Sequence, residues 1–190
     1  MDAEEIRRIA AESAVLKQRF FAENAPLLVE VGGRIAEALR AGGKVLAFGN
    51  GGSAADAQHL AGELVGRFRR ERPGLAALAL TTDPSVLTAL GNDFGFEAVF
   101  RRQVEALGRP GDVALGISTS GRSPNVLEAL RAARANRLVT VGLTGSGGGA
   151  LRGRVDYLID VPHADTQRIQ EVHAMVVHVV CQVVEEAVGR

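Results

Sequence analysis

Short, mostly apolar runs recur along the chain at 45–48 (Val-Leu-Ala-Phe), 75–80, 113–117, 138–143 and 155–159. Each is bounded by glycine, proline or polar residues, the pattern of strands buried in a parallel sheet. The segments between them predict helices from 53 to about 68, over 84–91, 95–107 and 124–135, and from 165 or 166 to about 187. Two more helices are expected before the first strand. In 3–23, Ile6, Ile9, Ser13, Leu16 and Phe20 repeat every three or four residues and form one stripe. Pro26 then starts a second helix through about Arg40, with Leu27, Leu28, Val31, Ile35 and Leu39 facing inward. Gly42-Gly43 ends it. The stripe of this pair is expected to cover the sheet and to meet a partner subunit.

Alternating strands and helices give a parallel sheet with helices on both faces, an α/β fold. Residues 1–190 read as one domain, a helical pair over 1–41 followed by an α/β core over 44–188. The length suits one hydrophobic core. Formal net charge is zero, so neither nucleic acid nor a membrane surface is expected as a partner. Trp is absent, which argues against a stacking platform for single strands. No run approaches the ~18–20 apolar residues of a membrane span, and residues 1–20 lack a secretory apolar segment. A lone cysteine, Cys181, excludes an internal disulfide framework and suits a reducing cytoplasm.

In open α/β sheets, ligands bind beyond the C-terminal ends of the strands. Two such ends are well furnished. The first is Gly49-Asn50-Gly51-Gly52-Ser53, where glycines permit a sharp turn and Ser53 is a good N-cap. A ligand there meets a helix N-terminus, which favours anions. The spacing Gly49-x-Gly51-x-x-Ala54 also fits a dinucleotide fingerprint, with Asp83 as the ribose acid, although it lies beyond the usual ~20 residues. The second is Ser118-Thr119-Ser120-Gly121-Arg122-Ser123. Its four hydroxyls and backbone N–H groups make a neutral cradle for phosphate oxygens; the alternative is a serine-rich helix cap, for which one hydroxyl suffices.

His59 and Glu63 are four residues apart, about 40° around a helix, and share one face. An ordinary surface pair has the same spacing. On the last helix, Gln170 and His178 are about 80° apart and can converge across two turns, with His173 nearby. A histidine there can equally be a core residue with one hydrogen-bond partner. His59, Glu63, Gln170 and His178 together offer the nitrogen and oxygen donors of a zinc site.

The segments FGNGGSAADAQHLAGEL, GNDFGF, GDVALGISTSGRSPNV and RIQEVHAMVVH resemble the sugar isomerase (SIS) domain family, and within it the phosphoheptose isomerases. The resemblance spans nearly the whole chain. It implies a flavodoxin-like three-layer α/β/α sandwich around a five-stranded parallel sheet, and a homotetramer with active sites at subunit interfaces. It implies aldose–ketose isomerisation of sedoheptulose 7-phosphate to D-glycero-D-manno-heptose 7-phosphate through an enediol, the first step towards activated heptose for bacterial surface sugars. By the same resemblance Asn50, Gly51, Gly52 and Ser53 touch substrate, Asn92 and Asp93 hold sugar hydroxyls, and Ser118, Thr119, Ser120 and Ser123 hold the phosphate. His59, Glu63, Gln170 and His178 match zinc ligands, one divalent ion per site, and Gln170 also touches substrate. Glu63 and His178 match the acid/base pair. Gln167 stands where some members carry an acidic residue, which bears on the local proton network and on ring opening.

Other readings compete. A non-catalytic SIS adaptor resembling the DnaA initiator-associating protein shares echoes at 56–60, 71–73 and 87–89, but lacks counterparts of Glu63 and His178. A phosphosugar-sensing regulatory domain would need an attached DNA-binding module. A nicotinamide dehydrogenase leaves the Ser118–Ser123 loop without a purpose.

Overall fold

The computed structural model describes residues 1–189. Strands form at β1 (Val45–Gly49), β2 (Ala77–Ala79), β3 (Val113–Ser118), β4 (Val139–Thr144) and β5 (Tyr157–Asp160), and all pair in parallel in the order β2-β1-β3-β4-β5. Helices α1 (Ala3–Arg40), α2 (Gly52–Val65), α3 (Pro84–Phe94), α4 (Val99–Leu107), α5 (Pro124–Ala135) and α6 (Thr166–Val188) cover the sheet.

Strand side chains alternate between two cores, as the period of two requires. Val45, Ala47, Val113, Leu115, Ile117, Val141, Leu143 and Ile159 point toward α1, α2 and α6. Leu46, Phe48 and Ala114 point to the opposite face, where Val99, Phe100 and Val104 of α4 meet Val126, Ala129 and Leu130 of α5. The three-layer α/β/α arrangement follows from burying both faces of an all-parallel sheet.

The expected helical pair at the N-terminus is instead one continuous helix, with Pro26 inside it. An internal proline costs about 3 kcal/mol. On its C-terminal side Leu28, Val31 and Ile35 are fully buried, each contributing about 1.5–3 kcal/mol, and Phe20 is buried on the other. The stripe lies along α6 on both sides of the proline, so unbroken packing outweighs the local defect. The Asn24 amide, two residues before the proline, donates to the Phe20 carbonyl. The helices cross closely: a Cβ at Gly32 would lie 2.5 Å from Val183 Cγ1. Arg168 donates to Ile9 O and to Glu171, which accepts from Ser13, tying the first turns of α1 to α6.

Other boundaries differ from expectation: the helix expected to about 68 ends at Val65, the one expected from 95 starts at Val99, and the last strand starts at Tyr157. The helix from Pro84 passes through Gly91, Asn92 and Asp93 and stops at Gly95, whose φ of 82° and ψ of 157° leave helical geometry in a conformation open chiefly to glycine. Residues 75 and 76 stay outside β2 because Leu75 N–H is drawn to the Leu64 carbonyl at the end of α2. No described helix is long and apolar enough to cross a membrane.

Candidate active site

Strand order reverses between β1 and β3: from β1 the chain moves to one edge, and from β3 to the other. This is the switch point at which α/β sheets bind ligands. Both furnished turns, 50–53 and 118–123, emerge there side by side. They are joined by a reciprocal amide pair, in which Asn50 and Asn125 each donate to the other at 2.9 Å. Asn125, 2% exposed, also accepts from the Val126 N–H. The sequence motifs do not single out Asn125, and the Asn50 side chain is spent on this brace.

At the first turn Gly51 takes φ 57° and ψ −123°, a conformation that favours glycine, and is itself the N-cap of α2. Ser53 is therefore not the cap. It lies buried inside the first turn, and no side chain caps the helix. Gly52 matters for space. A Cβ there would lie 2.5 Å from Gln170 Nε2, so the α6 carboxamide rests directly on the glycine turn.

The second turn does not use its hydroxyls as caps. Ser123 occupies the N-cap position of α5 without a side-chain bond to the helix. Ser123 Oγ instead pairs with Ser118 Oγ at 2.9 Å, Ser120 Oγ lies 3.5 Å from Ser118 Oγ, and the Arg122 N–H donates to Ser120 Oγ. Thr119 and Ser123 are half-buried and Ser120 is exposed, so the hydroxyl cluster is open to a ligand at a helix N-terminus. The glycine-rich stretch after β4 supports this loop. Gly145 N–H donates to Thr119 O and Ala150 N–H to Gly121 O, each at 2.9 Å.

Helices α2 and α6 lie next to each other, and His59, Glu63 and His178 meet between them. Their donor atoms all lie within 4.8 Å of one another. His59 Nε2 is 3.0 Å from His178 Nε2 and 3.3 Å from Glu63 Oε1. The His59 and His178 rings cross edge to face, and Phe68 packs on His178 with ring centres 5.7 Å apart. Two imidazoles and a carboxylate facing one another are the donor set a divalent metal takes, with room for a further ligand. Gln170, eight residues before His178, is roughly 12 Å lower along α6. It stands at the glycine turn and makes no recorded contact with the three. Asn92 and Asp93 are exposed at the end of α3, where Asn92 donates to Asp93 at 2.7 Å, and no recorded bond joins them to the other candidate residues.

Motif reading also passes over Asp56, one turn before His59. Burial pushes its carboxyl up, against the opposing pull of His59, and its Oδ2 is buried without a hydrogen-bond partner. The signal was its i−3 spacing from His59. Two α6 residues are structural. His173 is fully buried, its ring nitrogen bonded to Thr144 O; burial lowers its pKa to about 4, so it stays neutral. Cys181 has its thiol pushed up to about 12 by burial and then by the charge of Glu63, and is unreactive. The dinucleotide reading loses its acid, because Asp83 caps α3 by accepting from Val86 N–H.

Residues 10–145 match the SIS domain family. The chain is 59% identical over 170 residues to a phosphoheptose isomerase of Roseiflexus sp. (strain RS-1), covering 90% of this chain and 86% of that protein. It is 55% identical over 185 residues to one from Aquifex aeolicus, covering 97% of each. Among solved structures it is similar to phosphoheptose isomerase GmhA from Neisseria gonorrhoeae, at TM-score 0.91 and 46% identity over 96% of this chain and 98% of that one. A Francisella tularensis phosphoheptose isomerase aligns at TM-score 0.94 and 36% identity over 98% and 100%. The doubly furnished switch point and these likenesses agree: the chain belongs to the phosphoheptose isomerases of the SIS domain family.

Proposed function

We propose that this aldose–ketose isomerase converts sedoheptulose 7-phosphate to D-glycero-D-manno-heptose 7-phosphate through an enediol, the first step of activated heptose synthesis. The observation that carries this reading is one geometry. An open cluster of hydroxyls at the N-terminus of α5 lies at the mouth of the sheet beside the glycine turn that starts α2, and His59 and Glu63 stand about two and three helical turns, ~10 and ~16 Å, along α2 from that turn. A phosphate anchored at one end of a seven-carbon sugar leaves the other end to reach this carboxylate–imidazole group.

In this reading Ser118, Thr119, Ser120 and Ser123 hold the phosphate. Gly51, Gly52, Ser53 and Gln170 line the sugar, Asn50 positions the turn, and Asn92 and Asp93 serve sugar hydroxyls. Glu63 takes a proton from C1 and returns one to C2. His178 gives a proton to O2 and accepts one from O1, which completes the balance from ketose through enediol to aldose. Glu63 has one recorded side-chain contact, to His59 through Oε1, so its second oxygen is available for a proton. His59, Glu63 and His178 would hold zinc, while Gln170, matched to a fourth ligand by motif, stands at the glycine turn and faces the sugar instead. When bound, the ion would supply polarisation of a sugar carbonyl.

We further assign residues 1–190 to one catalytic unit that works in the cytoplasm as a homotetramer. Exposed Ile6, Val15 and Val29 along α1 and Met175 on α6 support a subunit contact. Light scattering should return four times the 20.0 kDa chain mass. The activity is tested by following sedoheptulose 7-phosphate by NMR with zinc and with a chelator. Formation of the aldoheptose phosphate supports the assignment. A folded, zinc-loaded protein that leaves the ketose unchanged refutes it.

A further inference from the structure

Glu185 of α6 is buried, 2% exposed at its side chain. Its carboxylate accepts three successive backbone N–H groups, from Phe68 (3.1 Å), Arg69 (2.8 Å) and Arg70 (2.9 Å), and the Arg72 Nε–H at 3.1 Å. Arg72, 9% exposed, turns its remaining donors to the end of α2. Nη2 donates to Glu63 O and Nη1 to Leu64 O, each at 2.9 Å, with Pro73 O also accepting at 3.0 Å. The last carbonyls of a helix lack partners of their own, and a cation there also complements the helix dipole.

This single ion pair bonds the backbone of Glu63 directly and reaches His178 through the Phe68 loop. Glu63 hangs from the backbone carbonyl that Arg72 holds. His178 precedes Glu185 by seven residues, about 20° short of two full turns, so the two share a face of α6. The loop gripped by Glu185 carries Phe68, whose ring lies against His178. We infer that Arg72 and Glu185 are positioning residues, which fix the end of α2 and the Phe68 loop against α6 so that Glu63 and His178 meet in working register. This rests on the roles assigned to Glu63 and His178 under the proposed function.

An alternative is that the pair only stabilises the fold. Removing one partner leaves a buried charge, so single variants lose stability in either case. The informative variant is the double change Arg72→Met with Glu185→Leu, which removes both charges at similar volume. It is compared with Phe68→Leu as full-length protein, well below the melting temperature of each. The positioning role predicts a kcat at least tenfold lower, with KM for sedoheptulose 7-phosphate within about twofold because the phosphate cradle is untouched. It also predicts that the His178 ring proton resonance, assigned with His178→Gln, moves in the double variant as it does in Phe68→Leu, and that zinc affinity measured by chelator competition falls at least tenfold. A folded double variant with wild-type kcat, zinc affinity and His178 resonance overturns the inference. If the wild-type protein turns over no heptose phosphate, the proposed activity fails separately, and the resonance still decides whether the pair positions His178.

Discussion

Among the glutamates and histidines of helices α2 and α6, the pairs Glu185 with His173 and Glu63 with His178 differ in almost every physical respect. Glu185 and His173 are buried, and each is bonded: Glu185 to three N–H groups and a guanidinium, His173 to a strand carbonyl. Glu63 and His178 lie nearer solvent, and their recorded bonds are confined to His59. Burial raises a carboxyl, yet the backbone N–H groups of Arg69, Arg70 and Phe68 and the Arg72 guanidinium outweigh it, so Glu185 titrates below its ordinary value. Groups whose hydrogen-bonding capacity is consumed hold a structure; groups whose capacity is left over do chemistry. Residue type does not separate the pairs, and spacing alone does so only in part.

The contrast is broken most strongly by neutralising Glu63. Glu63→Gln should lower turnover by on the order of 10²–10⁴-fold, the usual worth of a positioned general base, and shift stability by no more than about 0.5 kcal/mol, since the side chain is partly exposed. Steady-state rates and thermal melts check both halves. Glu185→Ala should do the reverse in stability, costing about 3–5 kcal/mol in denaturant unfolding, because Arg72 is left buried and unpaired.

Acid sharpens the comparison in two windows. His173 falls from 6.5 to about 4 on folding, so the unfolded chain binds the extra proton. Its contribution is complete above pH 6.5, declines as pH falls to about 4, and is worth roughly 3 kcal/mol. Glu185 is lowered from 4.5, so its contribution is complete above that value and is lost as pH falls through its lower folded value. Denaturant midpoints between pH 7 and pH 3 should therefore drop in two stages, with the first absent in a folded His173→Phe variant. Gly52→Ala has the smallest effect: the new Cβ displaces the flexible Gln170 amide, which should cost a few-fold in rate with little change in melting temperature.

Strand positions were legible because parallel strands buried on both faces leave unbroken apolar runs, as at 45–48 and 113–117. The second helix expected to start at Pro26 was not realised as a separate element, since the burial that overrides a proline belongs to α6, far along the chain. The same limit hid Asn125, Arg72 and Glu185, whose roles come from partners 75 to 117 positions away. Ser53 looked like a cap because its type suits one, but Gly51 already occupies that position. His59, Glu63 and His178 were legible as a set through helical spacing and family motifs, and the structure brings those three together. Gln170 was grouped with them by the same spacing, yet its amide rests at the glycine turn.

The division between holding and reacting groups rests on Glu63 handling the carbon-bound proton. The direct measurement is solvent deuterium incorporation at C2 of the aldoheptose phosphate, comparing wild-type protein with Glu63→Gln at equal zinc loading and matched melting temperature. Deuterium appearing in the wild-type product and falling with turnover in the variant is the predicted result. Undiminished incorporation by the variant, or unlabelled product from the wild type, would contradict it.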